Sequence, residues 1–207
     1  MKKIIIGGLI ILMLVLTVFA LTTFEPIKDS KVSSSQPTTN FGSGTIMMVK
    51  DKSIAKDRSY IGFDLSSSGL PSVNNANLEL FVYWTTPNIV GKNIQAWYCN
   101  NTDFTESIVH WNNQPANWDS NGNHLTNNCV LADSYTATNS VYAGTPETKH
   151  VWDLTTEVNN ELANGDGKFT VVLKLPTEKE SSTTQHWVQY LTRDYLETQY
   201  RPQLVIS

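Results

Sequence analysis

Hydrophobic residues recur at every second position along several short stretches of the chain. The clearest stretch has one aliphatic side, formed by Ala76, Leu78, Leu80 and Val82. Residues 94–99 and 169–175 alternate in the same way. A period of two is typical of half-buried β-strands, because successive side chains of a strand point to opposite faces. Turn-forming clusters such as Ser66–Pro71 and Gly165–Gly167 separate these stretches. The pattern therefore predicts an all-β fold, an antiparallel β-sandwich or jelly roll.

One segment departs from this pattern and predicts a short helix. Between Asp153 and Asn164, hydrophobic residues recur every four positions, at Leu154, Val158 and Leu162. Asp153 can cap the N-terminus of such a helix, and Gly165 can end it.

Length and charge limit the classes of protein to consider. A chain of 207 residues suits one domain with a substantial core. The formal net charge is −4, from 15 basic and 19 acidic residues. Nucleic-acid binding is disfavoured, because it needs a basic face and the sequence shows none.

The first twenty residues predict export. Lys2 and Lys3 precede an apolar run from Ile4 to Ala20. This is the pattern of a signal peptide cleaved after Ala20, and the run is also long enough to remain as an N-terminal membrane anchor. We therefore expect a signal peptide or anchor at residues 1–20, a linker at 21–26 and one domain at 27–207. Either leader predicts a secreted or cell-surface protein.

The predicted export bears on the interpretation of the two cysteines, Cys99 and Cys129. In an oxidising compartment an even pair without metal-ligand spacing favours a disulfide, and two free buried thiols are the alternative. Asn100 begins an N-glycosylation sequon, Asn100-Asn101-Thr102, which is typical of a surface loop.

Several blocks of the sequence together resemble the DNRLRE-type jelly-roll domain. Its opening "D-x-x-V … P-x-T-N-F-G" is matched at Asp29–Val32 and Pro37–Gly42. The later matching blocks, in order, are Arg58–Ser66, Phe104–Pro115, Trp152–Val158 and Tyr200–Val205. The chain departs from the family pattern at Phe104, at Arg193-Asp194 and in an insertion from Trp118 to Tyr142.

This resemblance implies an extracellular β-sandwich. Such domains are similar to an alginate-binding carbohydrate-binding module family and to repeats that accompany archaeal disaggregatases. It implies a non-catalytic module whose partner is an extracellular polysaccharide. The alternative is a structural or adhesive subunit of a surface filament, sheath or cell-surface layer, in which edge strands bind further copies by strand addition.

Aromatic residues are the candidate sugar contacts, because the flat C–H faces of sugar rings pack on exposed aromatic rings. Alternation places Phe81, Tyr83 and Trp97 on the side of their strands opposite the aliphatic residues. If the two strands are neighbours, these rings form one platform; the alternative is that they face a second sheet or lie under the insertion. Trp118 and Trp187, with Trp84, flank loops and are candidate rim residues. Trp111 and Trp152 lie in family blocks and are predicted in the interior.

An anionic glycan would also need basic side chains. Those available are thinly spread over an acidic protein, and they are Arg58, Lys92, Lys174 and Arg193.

The sequence predicts no catalytic site and no cofactor. The four histidines lack metal-ligand spacing, and no nucleophile elbow, Walker loop or dinucleotide-binding turn occurs. Residues Asp119, Asn121 and Asn123 begin like an EF-hand, but the loop has His124 and Val130 where Gly and Glu are required. A structural Ca²⁺ is still compatible with an extracellular sandwich, although no ligands can be assigned to it.

Overall fold

The structure is a computed structural model. It describes residues 21–52, 55–100, 103–116, 118, 128–143, 146, 148–176 and 184–207. The predicted signal peptide or anchor at 1–20 lies outside these residues. Among the described residues, no helix has the length and hydropathy needed to cross a membrane.

Eleven β-strands, one α-helix and three short 3₁₀ helices make up the regular structure of the described residues. The first six strands are β1 (Thr22–Phe24), β2 (Lys28–Ser33), β3 (Ile46–Asp51), β4 (Asp57–Asp64), β5 (Ala76–Thr85) and β6 (Asn93–Asn100). The others are β7 (Cys129–Thr136), β8 (Lys149–Asp153), β9 (Lys168–Lys174), β10 (His186–Leu191) and β11 (Gln203–Ile206). Helix α1 spans Thr155–Asn164.

Every strand pairing in the described residues is antiparallel, and the sheet curls into two layers. In the first layer β5 pairs with β8 and with both β10 and β11, while β3 pairs with β10 and β1 with β11. In the second layer the strand order is β2, β4, β9, β6, β7. The layers join where Lys50 of β3 pairs with Asp57 of β4. The predicted β-sandwich or jelly-roll class with one short helix is confirmed.

The two layers enclose one main hydrophobic core. The predicted inward side of β5 is fully buried there, together with Ile94 and Ala96 of β6. Trp152 has no exposed surface, and its indole N–H donates to the carbonyl oxygen of Ile94 at 2.9 Å, which confirms that it is an interior residue. Burial of such side chains, at about 1.5–3 kcal/mol each, is the main force that holds the layers together.

Helix α1 begins and ends close to the predicted positions. The N-cap residue is Leu154 and not the predicted Asp153, but Asp153 Oδ1 accepts the backbone N–H of Thr155 at 2.9 Å, so this carboxylate still stabilises the first turn. The Gly165 N–H donates to the carbonyl oxygen of Glu161, where the helix ends. Val158 is fully buried against the main core.

The segment 21–26, predicted as a linker, contains a strand. Thr22–Phe24 form β1, which pairs with Leu204–Ile206 of β11. Sequence alone did not indicate this strand because three residues are too few to show alternation.

Candidate functional site

The structure separates the aromatic residues that were predicted to share one platform. Phe81 and Tyr83 lie on β5 of the first layer, whereas Trp97 lies on β6 of the second. The two strands face each other across the main core, so their outward side chains point away from each other. The condition that the strands are neighbours is therefore wrong. Alternation determines the side of a strand on which a residue lies, but it does not determine which strands pair.

Trp97 and Trp118 lie together on the outer side of the second layer. Their ring centroids are 5.3 Å apart and the rings are nearly perpendicular. They pack, half-buried, on a second hydrophobic cluster, which we call the covered face. Its buried members are Val32, Tyr60, Cys99, Phe104, Val109, Ala116, Cys129 and Val172. The segment from Phe104 to Ala116 thus covers this side of the sheet.

The predicted disulfide lies within the covered face. Cys99 and Cys129 are paired residues of β6 and β7 and form a disulfide, which confirms the prediction. Asn100, the next residue of β6, is half-buried, and its backbone N–H donates to the carbonyl oxygen of Asn128. The other two residues of the sequon lie outside the described residues, and glycosylation of Asn100 stays a prediction.

Two of the predicted cations are buried under the indole rings of the covered face. The Arg58 guanidinium lies 4.5 Å from the Trp111 ring centroid and donates to Gln114 Oε1 at 2.8 Å. The Lys174 ammonium lies 5.3 Å from the Trp118 ring centroid. Arg58 and Lys174 are only 2% and 1% exposed, so their first role is to hold the covered face together.

A β-bulge creates a different aromatic surface on the first layer. Gln189 of β10 pairs with Trp84, but Tyr190 pairs with Val82, so Tyr83 is an extra residue on β5. Two consecutive side chains, Tyr83 and Trp84, therefore reach the outer side of the sheet, while Val82 and Thr85 are buried. We call the outward ring set the aromatic face, and its members are Phe81, Tyr83, Trp84, Trp187 and Tyr200.

Two perpendicular ring pairs make up most of the aromatic face. The ring centroids of Trp84 and Trp187 are 5.0 Å apart at an interplanar angle of 90°, and Trp84 is 41% exposed. The rings of Phe81 and Tyr200 are 5.1 Å apart at 79°. An edge-to-face pair of this kind holds both rings in place and leaves ring surface open to water.

Polar side chains accompany these rings. Lys149 Nζ lies 4.9 Å from the Phe81 ring centroid and is bonded to Glu79 Oε2 at 2.6 Å. Gln189 is the strand partner of Trp84, and Lys50 is the partner of Trp187. The surface therefore combines flat aromatic rings with amide, ammonium and carboxylate groups that can bond hydroxyls.

Tyr200 was not among the predicted sugar contacts. β10 and β11 pair with successive parts of the same edge of β5, and the segment 192–202 leaves the sheet between them. Arg201 Nε donates to the carbonyl oxygen of Tyr195 within this excursion, which brings the Tyr200 ring against Phe81. A sequence signal existed, because Tyr200 opens the closing family block and Tyr195 lies five residues before it, but locating the Tyr200 ring needed the strand pairing.

The described residues contain no group of three or more His, Cys, Asp or Glu side chains that could hold a metal ion. Residues 119–127, which include most of the segment that begins like an EF-hand, lie outside the described residues. A structural Ca²⁺ therefore stays untested.

Comparison with known proteins places residues 20–129 within one family model. The match is to the model described as carbohydrate-binding module family 96, and it spans the strands from β1 to β6 together with the segment that covers the second layer. No curated protein matches the chain.

Proposed function

The chain belongs to carbohydrate-binding module family 96, and we propose that it recognises an extracellular polysaccharide through the aromatic face without cleaving it. The observation that carries this proposal is the perpendicular Trp84–Trp187 pair, which holds a 41%-exposed indole at a β-bulge. A large aromatic side chain kept exposed and rigid is typical of a binding surface rather than of a core.

The aromatic face would bind a sugar chain by stacking and hydrogen bonding. The C–H face of one sugar unit packs on Trp84 or Trp187, and a second unit packs toward Phe81 and Tyr200. Gln189, Lys149 and Glu79 then exchange hydrogen bonds with hydroxyl groups at the edges of the rings. Affinity is modest, because an open surface removes only part of each sugar from water.

The leader supports the extracellular location, with residues 1–20 acting as a signal peptide or an anchor. Mass spectrometry of the native protein checks this, since a cleaved form begins at Leu21. The resemblance to the DNRLRE-type domain and to disaggregatase-associated repeats also stays a prediction. A non-catalytic role predicts that the purified protein releases no reducing ends from any polysaccharide that it binds.

Affinity electrophoresis in gels that contain alginate, cellulose derivatives or cell-wall glycan tests the proposal. The wild-type protein should be retarded in at least one gel, and Trp187→Ala should abolish most of that retardation. If a sugar on an aromatic ring contributes about as much as an aromatic pair, about 0.5–1.5 kcal/mol, the expected loss of affinity is roughly two- to tenfold.

The matched control is Trp97→Phe on the covered face, a change that keeps an aromatic ring in place. It should leave retardation unchanged. Loss of retardation with Trp97→Phe but not with Trp187→Ala would contradict the aromatic face as the site and favour the covered face.

A further inference from the structure

A cleft lies at the far end of the second layer, away from the aromatic face. Its volume is about 380 Å³. The residues that line it include Lys28, Asp64, Asp103, Asp166, Lys168 and Phe169. We call it the end cleft. One wall follows the end of the β4–β9 ladder, where Phe63 pairs with Phe169 and Asp64 pairs with Lys168. The volume lies in the range of small-molecule sites, roughly 300–1,000 Å³.

The position of Lys28 in the end cleft depends on a glycine. Lys28 pairs with Gly62, and a Cβ atom at position 62 would lie only 2.6 Å from the Lys28 Cε. The Lys28 side chain therefore crosses β4 at Gly62, where there is no side chain to block it. Its ammonium bonds with Asp103 and lies 4.8 Å from the Phe104 ring centroid. Burial and the nearby Lys168 lower the pKa of Lys28, which agrees with two ammonium groups that face one space.

The charged groups of the end cleft compensate each other. Lys28 pairs with Asp103, and the Lys168 ammonium lies 3.9 Å from Asp64 Oδ2. Asp166 Oδ1 accepts the Lys168 backbone N–H at 2.9 Å. Hydrogen bonds from Ser66 hold the pKa of Asp64 below its ordinary value, so this carboxylate stays ionised at neutral pH.

This arrangement favours an uncharged, hydroxyl-rich ligand. An anionic ligand would meet three carboxylates, and a cationic one would meet two ammonium groups. A sugar hydroxyl can donate to a carboxylate and accept from an ammonium at the same time, so it uses both kinds of group. Phe63 and Phe169 lie at the cleft but are almost fully buried in the main core, so the polar side chains provide the contacts to a ligand.

The end cleft and the aromatic face are too far apart to contact one sugar unit. Lys50 pairs with both Trp187 and Asp57, so the aromatic face lies near the N-terminal end of β4. Asp64, in the cleft, is the last residue of the same strand. Seven steps along a strand correspond to about 23 Å.

We propose that the end cleft is a second saccharide site, separate from the aromatic face, which takes a neutral hexose unit. The site does not depend on binding at the aromatic face, so either proposal can fail while the other holds.

Titration of the ¹⁵N-labelled protein with glucose, galactose, mannose and glucuronate, followed by NMR, tests the second site. We expect saturable shifts of the Gly62, Lys168 and Thr170 amide signals with at least one neutral hexose. These shifts should persist in the double variant Trp84→Ala, Trp187→Ala. Lys168→Met removes a charged hydrogen-bond donor and should weaken the affinity by about tenfold, which corresponds to about 1.4 kcal/mol.

The control is Lys52→Met, which removes an exposed lysine directly after β3 of the first layer and should leave the titration unchanged. Absence of shifts at the cleft amides with all three neutral sugars would overturn the proposal. Tighter binding of glucuronate than of the neutral hexoses, or equal weakening by Lys52→Met, would also overturn it.

Discussion

Tyr83 shows how a single residue can decide where a site lies. Tyr83 is an extra residue of β5 with no partner on β10. Trp84 faces outward because of this bulge. Strict alternation would have turned Trp84 toward the core beside Val82. The bulge instead adds an indole to the outer surface, next to Trp187.

Asp29 is a second residue whose surroundings change its chemistry. It is fully buried on β2, and its Oδ2 atom accepts the Arg193 backbone N–H at 2.7 Å. Burial, with smaller contributions from the neighbouring Glu106 and Asp194 carboxylates, raises the pKa of Asp29 to about 7; the Arg193 charge and hydrogen bond act in the opposite direction. At pH values between 3.8 and about 7, the folded protein therefore holds a proton that the unfolded chain has released.

The predicted consequence is a pH-dependent loss of stability. The contribution of Asp29 is fully present below the unfolded pKa and is lost as the pH rises through about 7. Asp29→Asn keeps the acceptor oxygen for Arg193 and removes the titration. Urea unfolding at pH 5 and pH 8 should show that the wild type loses more unfolding free energy than the variant between these two values. Parallel pH profiles for the two proteins would contradict the prediction.

At the scale of elements, the segment between β6 and β7 forms a second small core. The disulfide joins the facing ends of the two strands, and the chain between them carries Phe104, Val109 and Ala116 onto the outside of the sheet. Asn40 fixes this segment further, since its Nδ2 atom donates to the carbonyl oxygens of Glu106 and Val109. The second layer is thus covered by its own chain, whereas no described segment covers the aromatic face.

The double variant Cys99→Ser, Cys129→Ser should separate these two surfaces. Loss of the covalent link lowers the free energy of unfolding by roughly 3–4 kcal/mol on the chain-entropy model. The near-ultraviolet circular dichroism of Trp97 and Trp118 should change, because their cluster loses its covalent support. Glycan retardation should persist under conditions where the variant is folded, since the aromatic face lies on the other layer. Loss of retardation in the folded variant would show that the two layers act together in binding.

At the scale of the whole molecule, the Asp133 side chain links β7 and β8, two strands that do not pair with each other. β7 and β8 do not pair, but Asp133 Oδ2 on β7 accepts the Asp153 backbone N–H on β8 at 2.9 Å. The carboxylate thereby occupies a backbone donor that an incoming strand would use. This contact disfavours assembly by strand addition at that edge.

We therefore expect the wild-type protein to be a monomer. Size-exclusion chromatography with light scattering should give the same mass over the concentration range used for glycan binding. Asp133→Ala removes the acceptor and should lower stability and increase self-association. Fibres or a rising mass in the wild type, without any response to glycan, would contradict this prediction and favour a structural subunit.

Local chemistry is what the sequence by itself determined. Alternation predicted the strands and their buried sides, the spacing of Leu154 and Val158 predicted α1, and an even cysteine pair predicted the disulfide. Each of these depends on residues close in the chain or on one covalent pairing, and the structure confirms them. The predicted leader stays a prediction.

Only the tertiary structure decided where the candidate binding rings lie. The pairing of β5 with β10 and β11, the bulge at Tyr83 and the covering of Trp97 all join segments that are distant in the chain. Strand order depends on the total burial and hydrogen bonding of the whole sheet, and no single segment carries that information. For this reason the predicted platform divides into an aromatic face, on which Trp84 is exposed, and a covered face that stabilises the fold.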